Sequence, residues 1–256
     1  MNLQCMAELA LTYKAAPQMA RAVSEAWCAR EVYCPACESN SLTQTKPNTK
    51  AIDFTCPDCE QTFQLKSMRK WNPKKVPDAG YEAMVAAIRS DRAPNLFVLQ
   101  YSNSWLVENL LLVPRAFFTE SVIERRKPLG PKARRAGWVG CNILLSEIPV
   151  DGKIEMVSAG CPLPERRVRQ EFTRVRKLAS LPPQLRGWTV DVLNAIRRLG
   201  SVNFSLQQLY AFDQDLQALH PNNQNVRPKI RQQLQVLRDV GLVEFSGQGQ
   251  YALRSE

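Results

Sequence analysis

The sequence predicts an α/β protein with a mixed (α+β) sheet in a large N-terminal domain, followed by a small winged-helix domain. Two observations predict this. Through the first two-thirds of the chain, short apolar alternations separated by helical patterns imply strands and helices in one layered domain. After Ser180-Leu181-Pro182-Pro183 the pattern changes to three helices and a hairpin, so that stretch reads as a linker between residues 1–180 and 181–256. A length of 256 residues with 45% hydrophobic content suits one sizeable core plus a smaller one and excludes a disordered chain.

Residues 5–30 carry apolar side chains at helical spacing (Leu9, Leu11, Ala15, Met19, Ala22, Val23, Trp27), with Pro17 dividing two short helices. Ile52 and Phe54, then Phe63 and Leu65, alternate with polar residues and give two neighbouring strands. Tyr81, Met84, Val85 and Ile88 mark a helix. Leu96–Tyr101 and Leu106–Val113 form a hairpin turning at Ser102-Asn103-Ser104. Strands near Cys141–Leu145 and Lys153–Val157 complete the expected mixed sheet, and a helix through Val168, Phe172 and Val175 closes the domain. Beyond the linker, helices are expected at Val190–Leu199, Leu206–Leu219 and Val226–Val240. A hairpin, Leu242–Phe245 and Tyr251–Leu253, follows around Gly247-Gln248-Gly249.

Cysteine spacing is the most specific signal. Cys34-Pro35-Ala36-Cys37 and Cys56-Pro57-Asp58-Cys59 are two Cys-x-x-Cys knuckles eighteen residues apart, the pattern that closes four thiolates around one Zn²⁺. The alternative is disulfide pairing. It is disfavoured because the chain shows no cleavable apolar leader and reads as cytoplasmic, where thiols stay reduced. The other four cysteines, Cys5, Cys28, Cys141 and Cys161, have no spacing partners and are expected to be buried as small apolar side chains.

No apolar run reaches membrane-spanning length, so no membrane partner is expected. The net charge of +10 points to a polyanion. Fourteen Lys/Arg against seven Asp/Glu fall between Arg115 and Lys177, concentrating most of the excess in a quarter of the chain. In the last helix Ile230, Leu234 and Leu237 would face the core. Arg227, Arg231, Gln232, Gln235 and Arg238 would then face outward, with groove-reading chemistry for DNA or, alternatively, as a solvated face of a protein-binding module.

Metal-dependent phosphodiester hydrolysis requires oxygen ligands for Mg²⁺ and a cation near the scissile phosphate. Asp53, Gln64 and Lys66 have that layout: residues 64 and 66 share a strand face, and Leu65 between them points to the core and offers its backbone carbonyl. The pattern alone is weak. His220, the single histidine, precedes Pro221 at a helix end and reads as a surface C-cap.

The whole chain resembles the DpnI family of methyl-directed restriction endonucleases. The resemblance is carried by Leu11-Thr12-Tyr13-Lys14, Tyr33-Cys34-Pro35, Asp53-Phe54, Leu65-Lys66-Ser67, Ala133-Arg134-Arg135-Ala136-Gly137-Trp138, Gly140-Cys141-Asn142-Ile143, Arg186-Gly187-Trp188-Thr189 and Lys229-Ile230-Arg231-Gln232-Gln233-Leu234-Gln235. It implies a PD-(D/E)xK nuclease domain with an embedded four-cysteine zinc site and a C-terminal winged helix. It also implies Mg²⁺-dependent cleavage of duplex GATC when its adenines carry N6-methyl groups, with both domains reading methylated DNA. On that reading Asp53, Gln64 and the Leu65 carbonyl hold Mg²⁺, and Lys66 completes the centre. Two positions depart from the pattern. Ile52 stands where the fold has proline, while the literal Pro57-Asp58 lies inside the knuckle. Gln64 stands where the family has Glu, which lowers the negative charge offered to a metal. Glu60 lies too far along the strand to replace it; Glu25 on the N-terminal helix is either a third acid or an ordinary surface acid.

The segment from Arg125 to Trp138 mixes cations, Gly and Pro with one flat aromatic ring, and is expected to be a loop. Arg134 and Arg135 would grip DNA. Trp138 is either a wall for the methyl group or a core tryptophan. Lys229, with Arg227 and Arg238, is assigned to phosphates, and Arg231, Gln232 and Gln235 to bases. A monomer is expected.

Overall fold

The computed structural model describes residues 1–46 and 51–254. After a 3-10 turn at Ala7–Thr12, α1 spans Ala16–Glu31 with Pro17 in its first turn, where a missing N–H costs nothing. Val23, Trp27 and Cys28 are the side of α1 that meets the core. Pro17 therefore begins the long helix as well as separating it from the preceding turn.

Next come β1 (Thr43–Gln44), β2 (Phe54–Thr55), β3 (Thr62–Met68), β4 (Lys75–Gly80), α2 (Tyr81–Arg89), β5 (Asn95–Tyr101) and β6 (Val107–Val113). The N-terminal region is completed by β7 (Ile123–Arg125), β8 (Gly140–Leu144), β9 (Ile154–Ser158), β10 (Cys161–Pro162) and α3 (Glu165–Arg176). The main sheet is mixed, in the order β1-β2-β3-β5-β6-β9-β10. Its one parallel pair is β3 with β5, in the register Phe63↔Asn95 to Met68↔Gln100. β5 is buried along nearly its whole length, as its apolar run Leu-Phe-Val-Leu requires of a strand covered on both faces. Phe63 stacks on Phe97 across the parallel seam at 4.9 Å.

The expected strand at Cys141–Leu145 forms, but not in the main sheet. As β8 it pairs with β4 and β7 in a separate antiparallel sheet, order β4-β8-β7. The sequence of β4, Lys75-Val76-Pro77-Asp78-Ala79-Gly80, has no alternation and contains a proline, so periodicity gave no sign of it.

The C-terminal region comprises α4 (Pro183–Arg198), β11 (Asn203–Ser205), α5 (Leu206–Leu209), α6 (Asp213–Leu219), α7 (Val226–Asp239), β12 (Val243–Gly247) and β13 (Gln250–Leu253). Two boundaries differ from the sequence reading. α4 starts at Pro183, seven residues before the first expected helical position, because Pro182 and Pro183 serve as its N-cap and first residue. The helix expected over Leu206–Leu219 is broken by a 3-10 turn at Tyr210–Phe212. α5 opens with a reciprocal capping box between Ser205 and Gln208. β11, β13 and β12 make the small wing sheet.

Ion pairs join the two regions. The Asp151 side chain, 1% exposed, accepts from Arg174 of α3 and from both Nε and Nη2 of Arg197 on α4 at 2.7 and 2.6 Å. Arg186 of α4 reaches Asp91 at 2.7 Å, and Asp191 of α4 accepts from Ser121. Cys5, Cys28 and Cys141 are buried as expected. Cys161 is exposed, because it lies on the two-residue edge strand β10.

Candidate functional site

The four knuckle cysteines converge. Their sulfurs lie within 4.8 Å of one another, with Cys34–Cys59 at 3.6 Å and Cys37–Cys56 at 3.5 Å. These separations exceed a covalent S–S bond and match the edges of a tetrahedron of thiolates around a zinc-sized ion. All four thiols are free. Burial opposes ionisation of Cys56, yet donation from the backbone N–H groups of Cys59 and Asp58 brings its thiol down to about 7. Burial pushes Cys34 well up instead. The cluster is consistent with zinc. Arg169 of α3 braces the first knuckle: its guanidinium donates to the carbonyls of Cys34 and Ser39 and lies over the Tyr33 ring at 5.1 Å. Sequence spacing gave no sign of this brace.

The second knuckle leads directly to Asp53 and β3. Asp53 immediately precedes β2, and its backbone N–H donates to the Phe63 carbonyl, which sets it beside β3. Its Oδ2 accepts from the Leu65 N–H at 2.7 Å. Gln64 and Lys66 share the face of β3 that period-two alternation assigns them. Both reach one carboxylate oxygen: Lys66 Nζ lies 2.6 Å and Gln64 Nε2 3.1 Å from Asp78 Oδ1. Gln64 is 7% exposed, whereas Leu65 is only half-buried against the core, so the side chain turned more fully inward is Gln64, not Leu65.

Asp78 was absent from the sequence reading. It sits where β4 and β8 lose register: Pro77 pairs with Asn142 and Gly80 with Gly140, leaving Asp78 and Ala79 opposite Cys141 alone. Such a β-bulge turns a side chain out of the regular alternation. The proximity also registers on Cys141, whose thiol is pushed up to about 11 by burial first and by the Asp78 carboxylate second.

Glu25 is not a surface acid. It is 9% exposed, takes an ion pair from Arg21 at 2.6 Å and a hydrogen bond from Gln44 at 2.7 Å, and lines a small cleft together with Asp53. Ser24 beside it donates to or accepts from Ser67, tying α1 to β3. Glu60 lies in the knuckle turn with a positive φ, away from this cleft.

Trp138 is neither a buried core residue nor free in solvent. Its ring covers the backbone of Gly140, where an added Cβ would meet it at 2.8 Å, and lies against Gly80. The Arg135 guanidinium lies over the same ring, 4.8 Å from its centre, and Arg134 is exposed. The segment before it is an ordered loop: Leu129 donates to the Trp138 carbonyl, and Gly137, at φ +79°, donates to Leu129.

On α7, Ile230, Leu234 and Leu237 are buried, and Arg227, Arg231, Gln232, Gln235 and Arg238 are exposed. Arg231 donates to the Tyr210 hydroxyl at 2.7 Å, Arg227 pairs with Asp213, and Arg238 with Asp239. The side chains of Gln232 and Gln235 make no hydrogen bond among the described residues. Lys229 points elsewhere, toward the Trp188 ring. His220 is the C-cap of α6, but its ring stacks on Trp188 at 3.8 Å and pairs with Asp191 at 2.8 Å, so it is a packed residue of the α4–α6 contact rather than a surface one.

A mixed sheet carrying a four-cysteine cluster, joined to a helix-turn-helix with a wing, is the architecture of the DpnI class of restriction enzymes. The chain belongs to the DpnI family: the Dam-replacing family model matches residues 1–181, and the Dam-replacing helix-turn-helix domain model matches residues 184–253. It is thus a methyl-dependent restriction enzyme by family, with a helix-turn-helix DNA-binding domain. No helix among the described residues is long and apolar enough to cross a membrane.

Proposed function

We propose that this protein cleaves duplex GATC carrying N6-methyladenine in a Mg²⁺-dependent reaction, with residues 1–180 cutting and residues 181–256 contributing a second methyl-dependent grip on DNA. The observation that supports this reading is that Asp53 accepts from the Leu65 N–H while Gln64 and Lys66, on either side of Leu65 in β3, both reach Asp78, within a chain of the DpnI family.

The residues present fit Mg²⁺, since the cleft is lined by two hard-oxygen donors, the carboxylates of Asp53 and Glu25, and Gln64 and the Leu65 carbonyl follow on the neighbouring strand β3. When bound, Mg²⁺ supplies positive charge to the phosphate and an acidified water. Lys66 adds a second positive charge beside the phosphate and steadies the oxygens that gain negative charge as the P–O bond breaks. Asp53, held by the Leu65 N–H, lines the cleft. The four cysteines hold Zn²⁺ as a structural ion, closed to substrate. Arg134, Arg135 and Trp138 approach the DNA from the N-terminal region. Arg227, Arg231, Gln232, Gln235 and Arg238 do so from α7, with Lys229 reaching a phosphate.

Gln64 favours a second reading, a methylated-DNA-binding protein whose cleavage is impaired. Single-turnover assays on methylated and unmethylated GATC duplexes with Mg²⁺ decide between them. Cleavage of the methylated duplex alone is expected, with Lys66→Ala losing cleavage by at least a hundredfold while binding stays within twofold. Gln64→Glu should raise the rate and lower the Mg²⁺ requirement. A parent protein that binds methylated duplex but never cuts it, while Gln64→Glu cuts, establishes the impaired reading; no cutting by either excludes the assigned centre.

A further inference from the structure

A buried carboxylate placed against both Gln64 and Lys66, neighbours on one face of β3, calls for an explanation. Asp78 is 1% exposed at its side chain, yet it lies on a strand of the second sheet. It reaches β3 because the bulge opposite Cys141 breaks the alternation of β4 at Asp78 and Ala79. One of its oxygens serves both Lys66 and Gln64. Burying a carboxylate carries a desolvation cost that is offset only by such close, charge-assisted partners.

Resting on the reading of Asp53, Gln64 and Lys66 as the cleavage centre, we propose that Asp78 is its positioning acid, fixing the Lys66 ammonium and the Gln64 amide in one orientation. Accepting from Nε2 turns the opposite end of the amide, Oε1, away from Asp78. The neutral side chain is thereby held as an oriented oxygen donor, and Asp78 supplies beside it the negative charge that Gln64 lacks. Lys66 is held at the same time by the same carboxylate oxygen. A long, flexible side chain is thus set in place before substrate arrives, which removes an ordering cost from the reaction step.

The test uses the full-length chain with Asp78→Asn and Asp78→Glu. The first removes the charge; the second keeps it but lengthens the arm by one methylene, and so remains informative if the neutral variant does not fold. Single-turnover cleavage of bound methylated duplex is expected to fall at least tenfold in each folded variant, with the duplex Kd changed by less than twofold. Gln64→Glu combined with Asp78→Asn should recover part of the rate, because the new carboxylate can take Lys66. Cleavage within twofold of the parent in either variant overturns the proposal. A readout independent of cleavage separates this from failure of the assigned centre. Acetylation of Lys66, measured by mass spectrometry against exposed Lys70, should run at least threefold faster in Asp78→Asn. Unchanged labelling overturns the positioning role even if no variant cuts DNA; faster labelling in a protein without nuclease activity removes the cleavage reading and leaves the Asp78–Lys66 tether standing.

Discussion

Trp138 and the two glycines beneath it illustrate how a single side chain can be half-buried for a reason. Gly140 and Gly80 carry no Cβ, so the indole lies close against backbone, and the Arg135 guanidinium lies over the ring. A ring held this way is rigid and partly dehydrated, and it offers an apolar edge to a methyl group without ordering cost on binding. Trp138→Ala is expected to lower discrimination between methylated and unmethylated duplex several-fold, in line with roughly 0.8 kcal/mol per CH₂-sized group removed from water. Fluorescence anisotropy on paired duplexes measures it. Equal weakening toward both duplexes would place Trp138 in the packing of the loop and take it out of methyl recognition.

At the scale of elements, α7 separates its duties by face. Ile230, Leu234 and Leu237 fix it to the wing domain, while Gln232 and Gln235 stand exposed with amides unengaged among the described residues. Arg231 is pre-set by the Tyr210 hydroxyl. Arg231→Ala or Gln232→Ala should cost about 1–3 kcal/mol of sequence discrimination, the worth of a good base contact. Filter binding over a set of single-base variants of the site reads this out; an affinity loss uniform across sequences would mean phosphate contact instead. The α7 faces were legible because an amphipathic helix follows a 3.6-residue period that one sequence displays in full. The same holds for α1, the β5–β6 hairpin and the cysteine knuckles, whose spacing is itself the geometry. β4 was not legible. Its Pro77 and its broken alternation belong to a bulge, and Asp78 meets Lys66 and Gln64 only through the pairing of β4 with β8, more than sixty residues onward. Glu25 was half legible: the helix was, but its burial beside Asp53 depends on where α1 packs. His220 and Cys161 were misjudged for a similar reason, since a stacking partner and a sheet edge are both tertiary facts.

For the whole molecule, the cysteine cluster does more than close a loop. Cys56 and Cys59 lie between β2 and β3, and Arg169 ties Cys34 to α3, so the cluster connects β2, which Asp53 immediately precedes, and β3, which bears Lys66, to α3. Removing zinc should therefore disable the centre at a distance. One zinc per chain is expected by elemental analysis, and Cys37→Ser or exhaustive chelation should lower Tm and abolish cleavage even in excess Mg²⁺, because the ion's binding energy is folding energy. A metal-free protein with unchanged Tm would contradict this.

The parallel seam between β3 and β5 has a consequence in time. The β5–β6 hairpin closes through a turn of a few residues, whereas β3 must find β5 across the chain that contains β4 and α2, from Phe63 to Asn95. Loop-closure entropy makes the local hairpin the earlier event and the seam the later one. Gln64 and Lys66 ride on the late strand, and Asp78 on the segment looped out between the two. The hairpin can thus be in place before Gln64, Lys66 and Asp78 are brought together. In stopped-flow refolding, substitutions along β6 should slow folding, while those at Phe63 should chiefly hasten unfolding.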